Sequence, residues 1–591
     1  MFLFRPSATF ALGRGFRTAF FVDMAQKRAF NEGKRHFKKS KKQKTAESDG
    51  SNEQVLLADV RRMLKDVKSD DIAEEKQLPE QWSEVELEIS ELSSTGDGLA
   101  QKDGQVYVVP FAAPGDTIRA KVVKHFLDQS YTLTDHLSVA KPSQHRTESP
   151  KCRYFAQCSG CQFQHLPYTF QLAHKRGIVE KAYRNFSNLP ASAVPDVGET
   201  IGSPLQLGYR TKLTPHFDAP PGARRDKRHG NKVQWDGVPP IGFMKKGTRK
   251  TMDIEECPIG TEAVQGGLKS ERARVHRDID QYQRGATLLL RENTERITKD
   301  DGKSDTEPSN DNVILEDRGQ HLHRKTCITD PKATSTEYID DFRFDNPAGA
   351  FFQNNNSILP LVTQYIRDNI LGPRPSTTDG EAPAPSKIKN MIDAYSGSGF
   401  FTITLSQMFK QSIGIDIAEQ SIASATKNAE LNNLPKDSTR FIAADANALF
   451  SAVNPAKFPP LETAVVIDPP RKGCDKNFIR QLLSFGPERV CYVSCNVHTQ
   501  ARDVGWLVQG VDREDGSMLD GLYEIESLRG FDFFPQTSHV EGVAILRKKS
   551  SQAVERKNED SSVSGDNVNA ENKQDVKQDG DAGEAEQSKS A

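Results

Sequence analysis

Cys495 closes the apolar run RVCYVSC, and Asp468 closes the apolar run AVVIDPP. In an open α/β sheet ligands bind beyond the carboxyl ends of the strands, so a thiol and a carboxylate at two such tips share one cleft. There a cysteine can act as a nucleophile, whereas Cys474 and Cys491 read as buried structural thiols. A third tip carries a glycine turn: in MIDAYSGSG, Gly397 and Gly399 let the chain turn sharply into a helix and approach a ligand closely. Nineteen residues after Gly397, Asp416 ends SIGIDI, where an acid can hold both ribose hydroxyls of an adenosine; Asp445 ends the next strand, near the place of an adenine amine. Phosphate fingerprints are incomplete, because Phe400, Phe401 and Thr402 follow Gly399 and no G-K-[ST] occurs. An adenosine cofactor without phosphates, S-adenosylmethionine, fits this turn.

These tips need a parallel sheet. From Lys387 onward apolar strands alternate with helical stretches, which predicts a doubly covered parallel sheet. FDFFPQ and GVAILRK follow with no helix between them and predict an antiparallel edge. Upstream, residues 84–141 alternate apolar and polar residues with Gly96, Gly98, Gly104 and Gly115 as punctuation, the pattern of a small β-barrel. Such barrels hold single-stranded nucleic acid or serve as packing modules. Residues 150–345 mix a cysteine-rich start, one helix near Tyr168–Asn185 and short strands, with low-complexity insertions near 218–232 and 298–311. A Pro-rich linker, Pro373–Pro385, follows a helix near Ile358–Ile370 and lies early in the sheet domain, 346–549.

The 591 residues exceed a single core, and 36% apolar against 27% charged residues points to solvated ends. Residues 1–80 read as a targeting or unstructured lead-in with a short helical pattern around Val55–Val67, and 550–591 as an acidic tail. Arg5, Arg14 and Arg17 among residues 1–22, with no acid, fit a mitochondrial presequence. A product begun at Met24 would open on KRHFKKSKKQK, seven Lys or Arg from Lys34 to Lys44, a nuclear signal or an RNA-binding arm. The expected location is the mitochondrion, the nucleus and cytoplasm, or both. No run approaches the roughly 20 apolar residues of a membrane-spanning helix, so no membrane association is expected.

DAYSGSG, IDPPRKG, YVSCN and SHVEGVAIL, in this order, resemble the RNA uridine C5-methyltransferase family. The resemblance implies a Rossmann-like class I methyltransferase domain, with residues 84–141 as a TRAM barrel and GFMKKGTRKTMDIEECPI within a central α+β domain that contacts RNA. It implies Cys495 as the nucleophile that adds to uracil C6, and Glu541 as the base that removes the C5 proton after methyl transfer. It places cofactor contacts on Gln353, Tyr395, Asp416 and Asp468, the last of which can instead, or also, hold the uracil edge. Two departures stand out: Phe400 where many members have Asn, and Val497 where many have Pro. The chemistry agrees with the residue types, since thiolate addition turns C5 into the end of an enolate and is reversible.

The implied partner is RNA, with the T-loop uridine 54 of tRNA as the expected target and one copy of the chain as the working unit. The base must leave its stack to reach Cys495. Arg210, Lys212, Lys245, Lys246 and Arg249 are the expected phosphate contacts. Cys152, Cys158 and Cys161, with the distant Cys257, suit zinc or an iron–sulfur cluster by spacing, and the resemblance favours a [4Fe-4S] cluster with a structural role. Rival readings are cytosine C5 methylation, uridine methylation of rRNA, and an RNA folding factor whose methylation is secondary.

Overall fold

A computed structural model describes residues 50–65, 78–223, 228–229, 232–299, 313–372, 386–445, 450 and 452–550. The presequence, the basic cluster, the Pro-rich linker, most of the 298–311 insertion and nearly all of the acidic tail lie outside the described residues.

The barrel expected at 84–141 is a six-stranded sheet of β1 (Glu84–Glu88), β2 (Glu91–Leu92), β3 (Gly98–Lys102), β4 (Gln105–Val109), β5 (Thr117–Phe126) and β6 (Tyr131–Lys141), in the order β1-β5-β6-β4-β3-β2. Ser90, just past β1, donates its N–H to Leu99 O of β3 at 2.9 Å and so curls the sheet on itself. The alternation seen in the sequence becomes an inner layer of Val85, Leu87, Ile118, Ala120 and Val122.

The short helical pattern expected around Val55–Val67 is a helix in the structure. Helix α1 (Asn52–Lys65) buries Val60 and Met63 against Leu99, Val106, Val108 and Tyr131 of the barrel. Its Asp59 accepts the Ser94 N–H at 2.6 Å. An amphipathic stripe of that length has a partner to cover it, which composition alone did not reveal.

The large sheet has eight strands, in the order β18 (Thr439–Ala443), β17 (Gln411–Asp416), β16 (Asn390–Ala394), β19 (Thr463–Ile467), β20 (Arg489–Ser494), β24 (Glu541–Lys548), β23 (Tyr523–Phe531) and β7 (Val197–Ile201). Its parallel part is β16, β17, β18, β19 and β20. Strands β23 and β24 are antiparallel to each other, and β24 to β20, as expected, but β23 precedes the expected strand FDFFPQ and shares only Phe531 with it. They do not form the edge, however, because β7 (Val197–Ile201), from the segment assigned to the central domain, pairs parallel to β23. The helix expected at Tyr168–Asn185 is α2 (Tyr168–Phe186), and it too packs on this sheet: Ile178, Val179, Ala182 and Tyr183 join the core of Val465, Ile467, Val490 and Leu528. The boundary near 346 is therefore not a structural one.

The central module has a sheet of β8 (Lys212–Leu213), β11 (Leu290–Thr298), β12 (Ile314–Arg318) and β13 (His321–Ile328), in the order β12-β13-β11-β8, while β9 (His216–Phe217) with β10 (Ala286–Thr287), β14 (Thr334–Ile339) with β15 (Phe342–Pro347), and β21 (Gly510–Asp512) with β22 (Met518–Asp520) form two-stranded ladders. Helix α3 (Glu262–Asp278) lies on it through Val264 and Leu268. The helices of the methyltransferase-like part are α4 (Leu359–Asn369), α5 (Phe400–Leu405), α6 (Glu419–Leu431), α7 (Lys476–Phe485) and α8 (Val497–Gln509). Two carry caps at the cleft side: Asp475 accepts the Phe478 N–H at 2.9 Å, and Asn496 accepts the His498 N–H at 3.1 Å. Such caps contribute about 1 kcal/mol each.

Candidate active site

Sheet register brings the proposed nucleophile and base together. Ser494 pairs with Gly542 in the β20–β24 ladder, so the next residues, Cys495 and Glu541, face each other where the two strands part. Ile467 pairs with Ala394 and Tyr492 on the two sides of β19, which delivers Asp468 between the glycine turn and Cys495. Asp468 donates its N–H to Ala394 O at 3.5 Å.

Burial dominates the electrostatics. The Cys495 thiol is pushed up to about 12, first by burial and then by the Glu541 and Asp468 carboxyls; Arg471, hydrogen-bonded to it, pulls the other way. Glu541, 2% exposed, is held well above the carboxylate range by burial and by Asp468. Asp468 is raised by burial and by Asp393 beside it. A protonated thiol among proton-hungry carboxyls is suited to transferring its proton as it attacks.

Two residues here were missed in the sequence. Asp393 is the one acid in a strand buried along its whole length, MIDA, and that anomaly was legible. Its Oδ2 accepts from Thr402 N at 2.9 Å and Oγ1 at 2.6 Å, while Oδ1 is buried with no partner among the described residues. Burial raises its pKa to about 7. Arg471, in DPPR, carries no role in the sequence reading. Its carbonyl is tied down by Asn496 Nδ2 at 3.0 Å and Thr499 Oγ1 at 3.1 Å, so its side chain leaves a fixed backbone.

The glycine turn is built as a cradle. Tyr395, Gly397 and Gly399 have φ of 65°, 54° and 90°, the left-handed region, and a side chain at Gly397 would meet only open space. Asp416 Oδ2 accepts the Gly397 N–H at 3.0 Å and Oδ1 accepts Ala418 N–H at 2.8 Å, so this carboxylate orders the turn itself. Ser396 Oγ is buried without a partner among the described residues. The exposed Ile417 follows Asp416. Tyr395 turns its ring onto Phe478, 5.3 Å away, with its hydroxyl beside Cys474, so its backbone is what it offers the cleft. Gln353 follows Phe352, whose ring lies 6.2 Å from that of Phe400 at the start of α5. Orphaned acid and hydroxyl oxygens around a left-handed turn fit a cationic, hydroxyl-bearing adenosine ligand. They offer no phosphate cradle.

The expected phosphate contacts divide. Lys212 Nζ is spent on the carbonyls of Gly349 and Ala350, at 3.2 and 3.0 Å, and Lys246 pairs with Asp97 at 3.3 Å. Arg210 donates to Lys212 O at 3.1 Å. Lys245 and Arg249 lie exposed. Sequence shows charge, not whether a carbonyl or carboxylate already holds it.

The four cysteines of the cluster are free thiols in one neighbourhood. Cys161 and Cys257 are each pushed up to about 12, by burial first and then by the other thiols of the set. Among the described residues, however, no group of three or more His, Cys, Asp or Glu is arranged to hold a metal ion. The iron–sulfur cluster expected on Cys152, Cys158, Cys161 and Cys257 thus has no support in the placement of the described side chains, although the thiols lie near enough to raise one another. No described helix is long and apolar enough to cross a membrane.

A family model described as tRNA (Uracil-5-)-methyltransferase matches residues 383–549, and a TRAM domain model matches residues 80–125. The tRNA (uracil(54)-C(5))-methyltransferase of Schizosaccharomyces pombe is 40% identical over 523 residues, 88% of this chain and 88% of that protein. The Saccharomyces cerevisiae protein of the same name is 38% identical over 532 residues, 84% and 78% of the two chains. Among solved structures, the Pyrococcus abyssi tRNA (uracil-54, C5)-methyltransferase in complex with S-adenosyl-L-homocysteine shares the fold, with a TM-score of 0.53 and 23% identity over 78% of this chain and 100% of that one.

Proposed function

Because the chain belongs to the tRNA (uracil-5-)-methyltransferase family, we infer that it methylates C5 of a tRNA uridine, that of position 54, with S-adenosylmethionine as donor. The observation that carries the mechanism is Cys495 facing Glu541 at the parting of β20 and β24, with Asp468 beside both.

The glycine turn, Asp416 and the orphaned Asp393 oxygen would hold the donor, with Gln353, the Tyr395 backbone and Asp468 closing around it. When bound, the donor supplies a methyl group on a positively charged sulfur. Asp393 and Asp468 favour that positive charge, which in turn favours their ionised forms. Cys495 gives its proton to a neighbouring carboxyl and its sulfur adds to uracil C6, which makes C5 nucleophilic towards the methyl group. Glu541 then takes the C5 proton, the C5–C6 double bond re-forms and the Cys495 sulfur leaves. A desolvated carboxylate is the stronger base for this step. Arg471 favours the thiolate at both ends of the sequence.

RNA containing 5-fluorouridine tests this directly. Glu541 cannot abstract fluorine, so a methylated protein–RNA adduct through Cys495 should persist on a denaturing gel. Absence of an adduct, or an adduct with Cys495→Ala, refutes the mechanism. Loss of 5-methyluridine at position 54, with rRNA unchanged, in cells lacking the protein tests the target. The cysteine quartet is the donor set behind the iron–sulfur expectation, and iron and acid-labile sulfide in anaerobically purified protein decide it. No methyl-transfer step above runs through it.

A further inference from the structure

The loop between β23 and β24 delivers Glu541, and its backbone is hydrogen-bonded to several segments far apart in the chain. Asn355 donates to Phe533 O at 3.2 Å, Lys175 to Phe534 O at 3.0 Å and Tyr209 to Pro535 O at 3.1 Å. Gln162 and Phe163 both donate their N–H groups to Gln536 O, at 2.7 and 3.1 Å. The Gln162 side chain goes further. Its Oε1 accepts the Ser538 N–H at 3.0 Å, and its Nε2 donates to Thr95 O, in the β2–β3 turn of the barrel, at 2.8 Å. Ser538 Oγ donates to the same Thr95 oxygen at 3.1 Å. One amide thus closes a triangle between the barrel turn and the loop, three residues before Glu541.

The barrel turn is built to be held there. Gly96, at φ +88°, lies so close that a side chain would sit 2.5 Å from Gln162 Nε2 and 2.9 Å from Ser538 Cβ. Within the turn Ser93 Oγ accepts the Asp97 N–H at 3.1 Å. Asp59 of α1 holds the Ser94 N–H at 2.6 Å, and Lys246 of the central module pairs with Asp97 at 3.3 Å. Gln162 itself follows Cys161, so the cysteine-rich segment sets where the amide stands.

We propose that Gln162 is a positioning residue for Glu541, clasping the base loop to the barrel so that it governs removal of the C5 proton rather than methyl transfer. The proposal rests on the reading of Glu541 as the base. A base works only within hydrogen-bond reach of its proton, and a displacement of about 1 Å costs about 100-fold in rate. Cys495, on the α8 side of the cleft, is fixed separately through Asn496 and Thr499. The two half-reactions therefore depend on different contacts. Loosening the clasp leaves addition and methyl transfer in place and slows the step in which Glu541 takes the proton, the double bond re-forms and the thiolate departs.

The test uses the full chain, S-adenosylmethionine labelled in its methyl group and tRNA transcript tritiated at uridine C5, in single-turnover experiments. Gln162→Ala should form methylated adduct within threefold of the wild-type rate, yet release tritium at least about tenfold more slowly, so that labelled protein–RNA adduct accumulates on denaturing gels. Gln162→Glu, which keeps the acceptor for Ser538 N–H, should restore part of the release rate. Ser538→Ala, which removes only the hydroxyl bond to Thr95, should show a smaller effect of the same kind and carries the test if Gln162→Ala does not fold. Equal slowing of both steps, or wild-type adduct levels in all three variants, overturns the proposal. Glu541→Gln separates the two ideas: if it accumulates no adduct, the assignment of the base has failed, whatever the Gln162 variants do.

Discussion

Replacing Arg471 with alanine isolates the charge that favours the Cys495 thiolate. The thiol is pushed up to about 12 by burial, then by Glu541 and Asp468, and Arg471 alone among its charged neighbours acts the other way. Hydrogen bonds from a charged donor contribute about 1.5–3 kcal/mol. Arg471 is an exposed residue, and solvent screening puts its share near the lower end, about 1.5 kcal/mol. At 1.36 kcal/mol per decade that is about a tenfold slower formation of the adduct with 5-fluorouridine RNA at pH 7. The loop should stay in place, because Asn496 and Thr499 hold the Arg471 carbonyl rather than its side chain. The thiol is raised, and so are the carboxyls that receive its proton, so rising pH favours the proton transfer that accompanies attack. Both proteins should therefore accelerate from pH 6 to 9, with the variant displaced by about one unit to higher pH. Adduct formation within twofold of wild type at every pH, or a flat profile, would refute the reasoning. Glu541→Gln removes a charge that raises the thiol, so it should form the adduct at least as fast as wild type.

Asp393→Asn should raise thermal stability at pH 8 more than at pH 5. The folded carboxyl titrates near 7, above the unfolded 3.8, so ionisation is penalised in the native state and stability falls as pH rises through that window. Melting curves at the two pH values check it, and isothermal titration should show weaker binding of the cationic donor. Lys175→Met should cost about 3–5 kcal/mol, because Lys175 and Asp532 form an ion pair with both side chains fully buried. The double change with Asp532→Leu should recover most of that loss in urea unfolding. Asp416→Ala, which unpins the Gly397 N–H, should weaken donor binding at least about tenfold while leaving tRNA affinity unchanged in filter binding.

Much of the site was legible because its residues sit at the ends of apolar strands, and a strand tip announces itself through short-range pattern. Cys495, Asp468 and Asp416 fall at the tips where they were expected. Asp393 carries an equally local signal, an acid inside an apolar strand, and was overlooked. The commitments of Lys212 and Lys246 were not legible, since a cation's partner is a matter of distance rather than of spacing. The cysteine spacing, likewise, cannot say whether four sulfurs converge.

Hydrophobic periodicity and turn chemistry determined the strands, helices and glycine turn of this protein, because those depend on residues within a few positions of each other. Only the tertiary structure decided that β7 and α2 complete the large sheet, that α1 covers the barrel, and that Cys495 faces Glu541 across a ladder between strands some fifty residues apart. Pairing register and contacts between modules arise from packing surfaces and hydrogen-bond partners far apart in the chain. Gln162 shows the difference: an ordinary polar residue in the sequence, and in the fold the amide that joins Thr95 to Ser538.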